Sequence, residues 1–238
     1  MKKFVFVLAL AAVSTGAHAD VVTQWNFNSA VADGNTGTGV ITPAIGSGIA
    51  SLIGGTTSTF ASGDASGGSS DPASGDDSGW NLTTFAAQGS GDKTRGAQFA
   101  VSTVGFENMV ISYDLRHSNT ASRYEQCQYS LDGLNFVDYA TFDGNAGDTW
   151  FNGRTVDLST VVGTDNNANF AFRVVAAFAP STSCYLASNL SSTYSTSGTL
   201  RFDMVTINAA PVPEAETYAM MLAGLGLVGF IARRRLRK

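Results

Sequence analysis

Residues 108–116 read NMVISYDLR, and their alternation decides the fold. The apolar positions are Met109, Ile111, Tyr113 and Leu115. Because side chains point to opposite faces of a β-strand in turn, this period of two predicts a strand with one face on a core. A second stretch, residues 169–179 (NFAFRVVAAFA), repeats the pattern, with Phe170 and Phe172 on the apolar face and Arg173 pointing away.

Further strands are predicted on either side of these two. They cover residues 21–28, 97–104, 123–130, 136–142, 154–158 and 199–208. Asp132-Gly133 predicts a tight hairpin turn between two of them. No helical periodicity of useful length occurs between these segments, and turn-forming residues separate them. The pattern therefore predicts an all-β domain over residues 20–210, a jelly-roll-like two-sheet β-sandwich.

Residues 61–79 (ASGDASGGSSDPASGDDSG) interrupt this pattern. The segment contains no apolar side chain larger than alanine, so it is predicted to be a long loop within the domain. Asp71, Asp76 and Asp77 offer the hard oxygen ligands that calcium prefers. Calcium is the one cofactor the sequence suggests, and a solvated acidic loop is the alternative.

The charges are distributed unevenly along the chain. The sequence has 14 Lys and Arg against 19 Asp and Glu. Seven of the 14 cations lie within residues 2–3 and 233–238, which leaves seven cations facing all 19 acids, a net charge of −12, in between. Proteins that bind nucleic acid carry cations on their folded body, so a nucleic-acid partner is excluded.

The N-terminal residues 1–19 have the organisation of a secretory signal peptide. Lys2 and Lys3 precede an apolar run at residues 4–13, which is too short to span a bilayer. Ala17 and Ala19 form a small-x-small cleavage site before Asp20. The sequence therefore predicts Sec-type export, cleavage by signal peptidase after Ala19, and an oxidising destination.

Residues 211–238 have three parts, a short motif, an apolar segment at 218–232 and a basic tail at 233–238. Fifteen helical residues extend roughly 22 Å, which predicts a short transmembrane helix whose basic tail stays on the cytoplasmic side of the inner membrane. The tail begins with Arg233, Arg234 and Arg235. Gly224, Gly226 and Gly229 spell G-x-G-x-x-G, but no strand precedes them as a dinucleotide site requires.

This tripartite segment resembles the PEP-CTERM sorting signal, also known as an ice-binding-protein C-terminal motif. Val212, Pro213 and Glu214 match the start of the motif, Ala215 stands where the family has a second proline, and Tyr218 begins the matching helix. The resemblance implies cleavage near Pro213 and Glu214 by an exosortase-type membrane peptidase. It also implies transfer of the protein to the cell surface or extracellular matrix.

The body is similar to secreted bacterial jelly-roll modules, through runs such as residues 25–28 (WNFN), 128–133 (QYSLDG) and 201–203 (RFD). The resemblance implies a β-sandwich like those of carbohydrate-binding modules, which bind or structure extracellular polysaccharide. Trp80, Trp150 and Tyr185 are candidates for stacking on sugars, because aromatic faces pack on apolar sugar faces. Packing under long loops is the alternative for each.

Two other functions stay open at this stage. A secreted glycan-acting hydrolase would use Glu125, which alternation places on the inward face with Cys127, together with a second carboxylate. A buried glutamate paired with an arginine is the competing interpretation. The other function is an adhesion or structural module without glycan binding. His117 follows a strand and is predicted to be solvated.

The two cysteines, Cys127 and Cys184, both lie in the exported part. An even number in an oxidising compartment permits one disulfide. However, Cys127 lies in the middle of a predicted strand and faces inward, where free cysteine behaves as a small apolar residue. The sequence leaves both states open.

Overall fold

The structure is a computed structural model that describes residues 19–212 together with a C-terminal helix at 215–236, in which side chains are described for 221–234. Residues 1–18 of the predicted signal peptide, which include Ala17, lie outside the described residues. Pro213 and Glu214 also lie outside them. Their roles stay predictions. Ala19 and Asp20, on either side of the predicted cleavage site, are exposed.

Twelve strands and one helix make up the regular structure of the described residues. The strands are β1 (Asp20–Trp25), β2 (Ile45–Gly46), β3 (Ile49–Ile53), β4 (Thr57–Ser62), β5 (Ser78–Thr83), β6 (Gly96–Ala100), β7 (Phe106–His117), β8 (Tyr124–Ser130), β9 (Val137–Asp143), β10 (Thr149–Asp157), β11 (Ala171–Ala177) and β12 (Leu200–Pro211). The helix is α1 (Ala215–Leu236), and a short 3-10 turn covers Ala65–Gly67.

The strands form two antiparallel sheets. The seven-stranded sheet has the order β10-β7-β12-β1-β2, with β5 pairing β12 and β4 pairing β5. The five-stranded sheet has the order β3-β6-β11-β8-β9. The predicted all-β, two-sheet sandwich is confirmed. The sequence did not predict β2, β3, β4 or β5, because these strands are short and lack clean alternation.

Aromatic side chains from both sheets fill the space between them. Phe99 of β6 stacks on Phe172 of β11 with ring centroids 4.9 Å apart, and Trp25 of β1 reaches Phe99 at 5.1 Å. Trp80 and Phe202 contact the same ring from the larger sheet. The inward face predicted for residues 108–116 is also buried in this core. Removing this apolar surface from water is the main force that holds the sheets together.

The segment between β4 and β5, residues 63–77, lies over the outer face of the seven-stranded sheet. Ser70 donates from its backbone N and its Oγ to Asp114 Oδ2, each at 2.6 Å. Trp150 Nε1 donates to the carbonyl of Ala65 at 2.8 Å. The loop predicted at residues 61–79 is thus shorter in the structure, because β4 ends at Ser62 and β5 begins at Ser78. We call residues 63–77 the flap.

The helix predicted over residues 218–232 is present and longer, at Ala215–Leu236. Its described side chains, residues 221–234, are exposed. Among the described residues, no helix combines the length and the apolar character needed to cross a membrane. The helix is therefore confirmed, whereas the membrane span predicted for it is not.

Candidate functional site

A cluster of three carboxylates lies where the flap meets the last strand. One carboxylate oxygen each from Asp71, Asp77 and Asp203 falls within 4.8 Å of the others. Asp203 belongs to β12, and Asp71 and Asp77 belong to the flap. Asp203 is fully buried and Asp77 is 1% exposed. Buried carboxylates are rare unless another group compensates their charge, so this cluster requires a chemical explanation.

Irregular backbone next to Asp203 and next to Asn28 directs their side chains toward the cluster. The β12 register shifts between Asp203 and Thr206, and Met204 has a φ of 45°. A β-bulge redirects side chains at this point, and a left-handed non-glycine residue is strained. The backbone N of Met204 donates to Asp203 Oδ1 at 2.7 Å. Asn28, which follows the left-handed Phe27, donates from Nδ2 to Asp71 Oδ2 at 2.9 Å.

Two oxygen atoms of the cluster receive no hydrogen bond from any N–H or O–H group within the described residues, and only a proton shared between the Asp77 and Asp203 carboxyl groups would link the pair. They are Asp77 Oδ1 and Asp203 Oδ2, and both are buried. The other Asp77 oxygen accepts a hydrogen bond from Ser69 Oγ at 3.0 Å. A Cβ atom on Gly63 would lie 1.9 Å from Asp77 Oδ1, so glycine is required there for the carboxylate to fit. The unpartnered oxygens mark a place where a proton or a cation is needed.

Burial has a strong effect on the titration of this cluster. Burial, together with the neighbouring carboxyl of Asp77, raises the pKa of Asp203 to about 10. Burial also raises the pKa of Asp77 above its ordinary value. Two carboxyl groups held together away from water cannot both ionise without compensation. At neutral pH and without a cation, the pair therefore retains a proton.

This proton predicts a pH-dependent stability. In EDTA, the free energy of unfolding is expected to fall as the pH rises from 5 to 9. The reason is that the folded protein retains a proton on Asp203 that the unfolded chain, with an aspartate pKa of about 3.9, releases. Urea unfolding at several pH values measures the slope. Asp203→Asn should flatten the slope, whereas Asp20→Asn, at an exposed position, should leave it unchanged.

The structure brings together two of the three aspartates that the sequence offered as calcium ligands. Asp71 and Asp77 lie together as predicted, but Asp76 lies outside the cluster, where its Oδ1 accepts hydrogen bonds from the backbone N of Asp33 and of Gly34 at 2.9 and 2.8 Å. Asp203 was not part of the predicted set because it is distant from the other two in the sequence. The one available signal was the alternation of β12, which places Asp203 on the face opposite Phe202.

A second buried cluster joins the two sheets around Glu125. Its Oε1 lies 2.8 Å from Arg154 Nε of β10, and its Oε2 lies 3.2 Å from His117 Nε2 of β7. The other ring nitrogen of His117 lies 2.8 Å from the carbonyl of Ser122. Glu125 and His117 are both fully buried. The cluster therefore contains a buried ion pair, between Glu125 and Arg154, that connects the two sheets.

The Glu125 cluster settles two expectations. The inward orientation of Glu125 and its pairing with an arginine are confirmed. The solvated position predicted for His117 is wrong, because Gly144 packs so closely that a Cβ there would lie 2.6 Å from His117 Nε2. A glycan substrate cannot reach Glu125 in this structure, so the geometry does not favour the hydrolase alternative.

The three aromatic residues predicted to stack on sugars are buried. Trp80 and Tyr185 are 1% exposed, and Trp150 is 7% exposed. Trp80 lies in β5 and Trp150 in β10, two positions that the sequence had assigned to loops. Tyr185 stacks on Tyr194 with centroids 4.5 Å apart. None of the three can form an exposed platform: Trp80 packs in the core between the sheets, and Trp150 packs against the flap.

The two cysteines are free thiols. Cys127 lies in β8 and is buried, and Cys184 lies in the connection after β11 and is partly exposed. Burial raises the pKa of the Cys127 thiol to about 12, so it stays protonated. The candidate disulfide is therefore absent, and Cys127 acts as a small core residue.

The outer face of the five-stranded sheet carries one polar residue on each strand, in register. This polar row consists of Ser51, Gln98, Arg173, Gln128 and Asp138. Arg173 Nε donates to Gln98 Oε1 at 2.8 Å, and Gln128 Nε2 donates to Asp138 Oδ1 at 2.8 Å. The Arg173 guanidinium lies 3.5 Å from the centroid of the Phe136 ring. The row thus presents planar groups that are held in place by one another.

Small residues border the polar row on one side. Ala100 and Ala171 are cross-strand partners in the next row, where Ala100 is partly exposed and Ala171 is buried. A cavity of about 350 Å³ adjoins this row and shares Ala100 with it, and Asp132 and Asn169 also line it. The cavity and the polar row therefore lie next to each other on this sheet, and together they are the candidate ligand-contacting region.

Comparison with known proteins identifies one sequence feature and several similar folds. Residues 211–235 match the PEP-CTERM protein-sorting motif. No curated protein matches the chain. Among solved structures, the chain is similar to the CBM22-1 xylan-binding domain of a Paenibacillus barcinonensis protein, with 10% identity and a TM-score of 0.42 over 82% of this chain and 97% of that one.

Two further solved structures have comparable similarity. One is the K2 cleaved adhesin domain of Lys-gingipain, with 14% identity and a TM-score of 0.39 over 83% of this chain and 100% of that one. The other contains the CBM22-1 and GH10 modules of a Clostridium thermocellum endo-1,4-beta-D-xylanase, with 14% identity and a TM-score of 0.45. That match covers 67% of this chain and 26% of the xylanase chain.

Proposed function

We propose that this chain, which carries a PEP-CTERM protein-sorting motif, is exported and presents its β-sandwich at the cell surface or in the extracellular matrix, where the sandwich binds polysaccharide. The observation that carries the proposal is the position of the motif. Strand β12 ends at Pro211, where the match to the motif begins. The sorting signal therefore follows the folded body without a linker.

The proposed route has three steps. Export machinery of the Sec type delivers the chain and signal peptidase removes residues 1–19. The C-terminal sorting segment then keeps the precursor at the inner membrane. Finally, an exosortase-type peptidase cuts near Pro213 and Glu214 and releases the body. The backbone N of Val212 donates to the carbonyl of Gly105 at 2.8 Å, which supports a cut directly at the edge of the folded body.

Intact-mass analysis of the protein extracted from the surface of its native cells tests this route. The expected product begins at Asp20 and lacks residues 218–238. A variant with Arg233, Arg234 and Arg235 replaced by glutamine is expected to keep the tail, because the basic cluster that fixes the orientation is gone. A surface protein that retains residues 218–238 in the unaltered chain would contradict the proposed cut.

The polar row supports polysaccharide binding as the activity of the body. Its amide and guanidinium groups can donate and accept hydrogen bonds at neighbouring positions, which suits the adjacent hydroxyl groups of a sugar ring. Arg173 and Gln128 are cross-strand partners in the middle of the row. Because the groups already hold one another in position, little conformational entropy is lost when a ligand binds.

Replacing Arg173 with alanine should weaken binding to a retained polysaccharide by about tenfold, since about two hydrogen bonds are lost at 0.5–1.5 kcal/mol each. Affinity electrophoresis against a panel of soluble neutral and acidic polysaccharides provides the measurement. Arg123→Ala is the matched control, because Arg123 forms an exposed ion pair with Asp143 away from the row. Absence of retardation on the whole panel would favour an adhesion or structural module without glycan binding.

A further inference from the structure

We infer that Asp71, Asp77 and Asp203 form a calcium site that fastens the flap to the seven-stranded sheet. The inference goes beyond polysaccharide binding and does not depend on it. It rests on the geometry of the carboxylate cluster and on the two buried oxygen atoms in it that lack a partner.

The unpartnered oxygens are the first argument. Leaving a buried acceptor without a partner is costly, and the cost is larger for a charged group. Asp77 Oδ1 and Asp203 Oδ2 are both in this situation, although each carboxylate uses its other oxygen in a hydrogen bond. A proton shared by the two carboxyl groups or one cation between them would compensate both atoms, and only a cation would also engage the Asp71 carboxylate beside them.

Among the described residues, no Lys or Arg side chain forms an ion pair that neutralises the carboxylate cluster. Arg116 pairs with Asp148, outside the cluster. Arg201, whose guanidinium is near Asp77, donates instead to the carbonyl of Ser62 at 2.6 Å and to Asn81 Oδ1 at 3.2 Å. None of the ion pairs found among the described residues includes Asp71, Asp77 or Asp203. Among the described residues, the cluster therefore forms no direct ion pair with a protein cation, and Arg201 acts on Asp77 only from a longer distance.

The ligand chemistry selects calcium. The cluster offers only carboxylate oxygens, with Ser69 Oγ and the Asn28 amide beside them. Calcium binds oxygen at about 2.3–2.6 Å, so two of its ligands can be as much as about 5 Å apart, and the spacing of 4.8 Å or less fits this limit. Calcium also accepts irregular geometry, whereas magnesium requires a regular octahedron. Zinc prefers nitrogen and sulfur ligands.

The site has a structural consequence for the flap. Asp203 belongs to the sheet and the other two carboxylates belong to the flap, so a bound ion ties the two together. Without the ion, the flap is held by hydrogen bonds such as those from Ser70 to Asp114 and from Trp150 to Ala65. We therefore expect calcium to lower the rate at which proteases cut residues 63–77.

Titration of the purified full-length chain, freed of metal with EDTA and dialysed, tests the inference. Isothermal calorimetry is expected to show one calcium bound per chain. Calcium at a hundred times its Kd should raise the Tm by about 5–10 °C. Asp203→Asn and Asp77→Asn should abolish both effects, and Asp76→Asn, in the same segment but outside the cluster, should retain them.

Limited proteolysis of the unaltered chain, with and without calcium, keeps the test decisive if a variant fails to fold. Slower cleavage within the flap in calcium supports the site. No calcium binding at millimolar concentration would overturn the inference, and so would an equal loss of binding in Asp76→Asn and Asp203→Asn, since that would mean diffuse attraction to acidic residues. An equal Tm increase with magnesium would overturn the choice of calcium.

Discussion

Replacing Glu125 with glutamine is expected to lower the free energy of unfolding by about 3–5 kcal/mol. The change keeps the shape of the side chain but removes the charge that faces Arg154 Nε at 2.8 Å. The arginine is then left as an uncompensated charge, with only 9% of its side chain exposed. Breaking one side of a buried ion pair costs more than the pair itself contributes, because the remaining charge stays out of water. Urea unfolding followed by tryptophan fluorescence measures the loss.

The exposed ion pair of Arg123 and Asp143 provides the control for Glu125. Asp143→Asn should change the free energy of unfolding by no more than about 1 kcal/mol, because water screens exposed pairs. Combining Glu125→Gln with Arg154→Met should recover part of the loss, since the second change removes the unpaired charge. A loss below about 1 kcal/mol in Glu125→Gln would show that Glu125 does not stabilise the junction between the sheets.

Replacing Trp80 with alanine is expected to lower the free energy of unfolding by about 3–5 kcal/mol. The indole contacts Phe27, Phe99 and Phe202 at centroid distances of 5.6, 6.2 and 6.5 Å. Its removal leaves a cavity between the sheets, and the lost apolar burial and the cavity both destabilise the fold. Chemical denaturation of the variant and of the unaltered chain measures this loss in the free energy of unfolding.

Leu134→Ala is the matched control for Trp80, because Leu134 is 81% exposed and its truncation should change stability by no more than about 0.5 kcal/mol. Polysaccharide retardation by the folded Trp80 variant should equal that of the unaltered chain. A selective loss of polysaccharide binding with stability unchanged would restore Trp80 as a ligand residue and contradict the core assignment.

The strands that the sequence predicted are those with strict alternation. Residues 108–116 and 169–179 pack on one core from opposite sheets, so side-chain period alone identified them. Strands β4 (TSTFAS) and β5 (SGWNLT) contain glycine, serine and threonine in place of a clean apolar face, and neither was predicted. Without a predicted strand around it, Trp80 remained a candidate for stacking on sugars.

The carboxylate cluster and the Glu125 cluster both depend on contacts between residues that are far apart in the sequence, and a local sequence pattern does not predict such contacts. Asp71 and Asp77 are six residues apart, and their acidic segment was recognised as a candidate ligand set. Asp203 joins them only because β12 lies under the flap, with Asp203 directly opposite Asp114 of β7. The same holds for Glu125, whose inward face was predictable but whose partners come from two other strands.

The sequence by itself determined the all-β class, the inward faces of the long strands and the sorting motif at residues 211–235, because periodicity and short motifs are local properties of a chain. The tertiary structure decided which side chains meet. Strand order brought Asp203 to the flap, Arg154 and His117 to Glu125, and five polar residues into one row. These arrangements follow from long-range packing, in which the burial of apolar side chains selects one pairing of strands and places the polar groups accordingly.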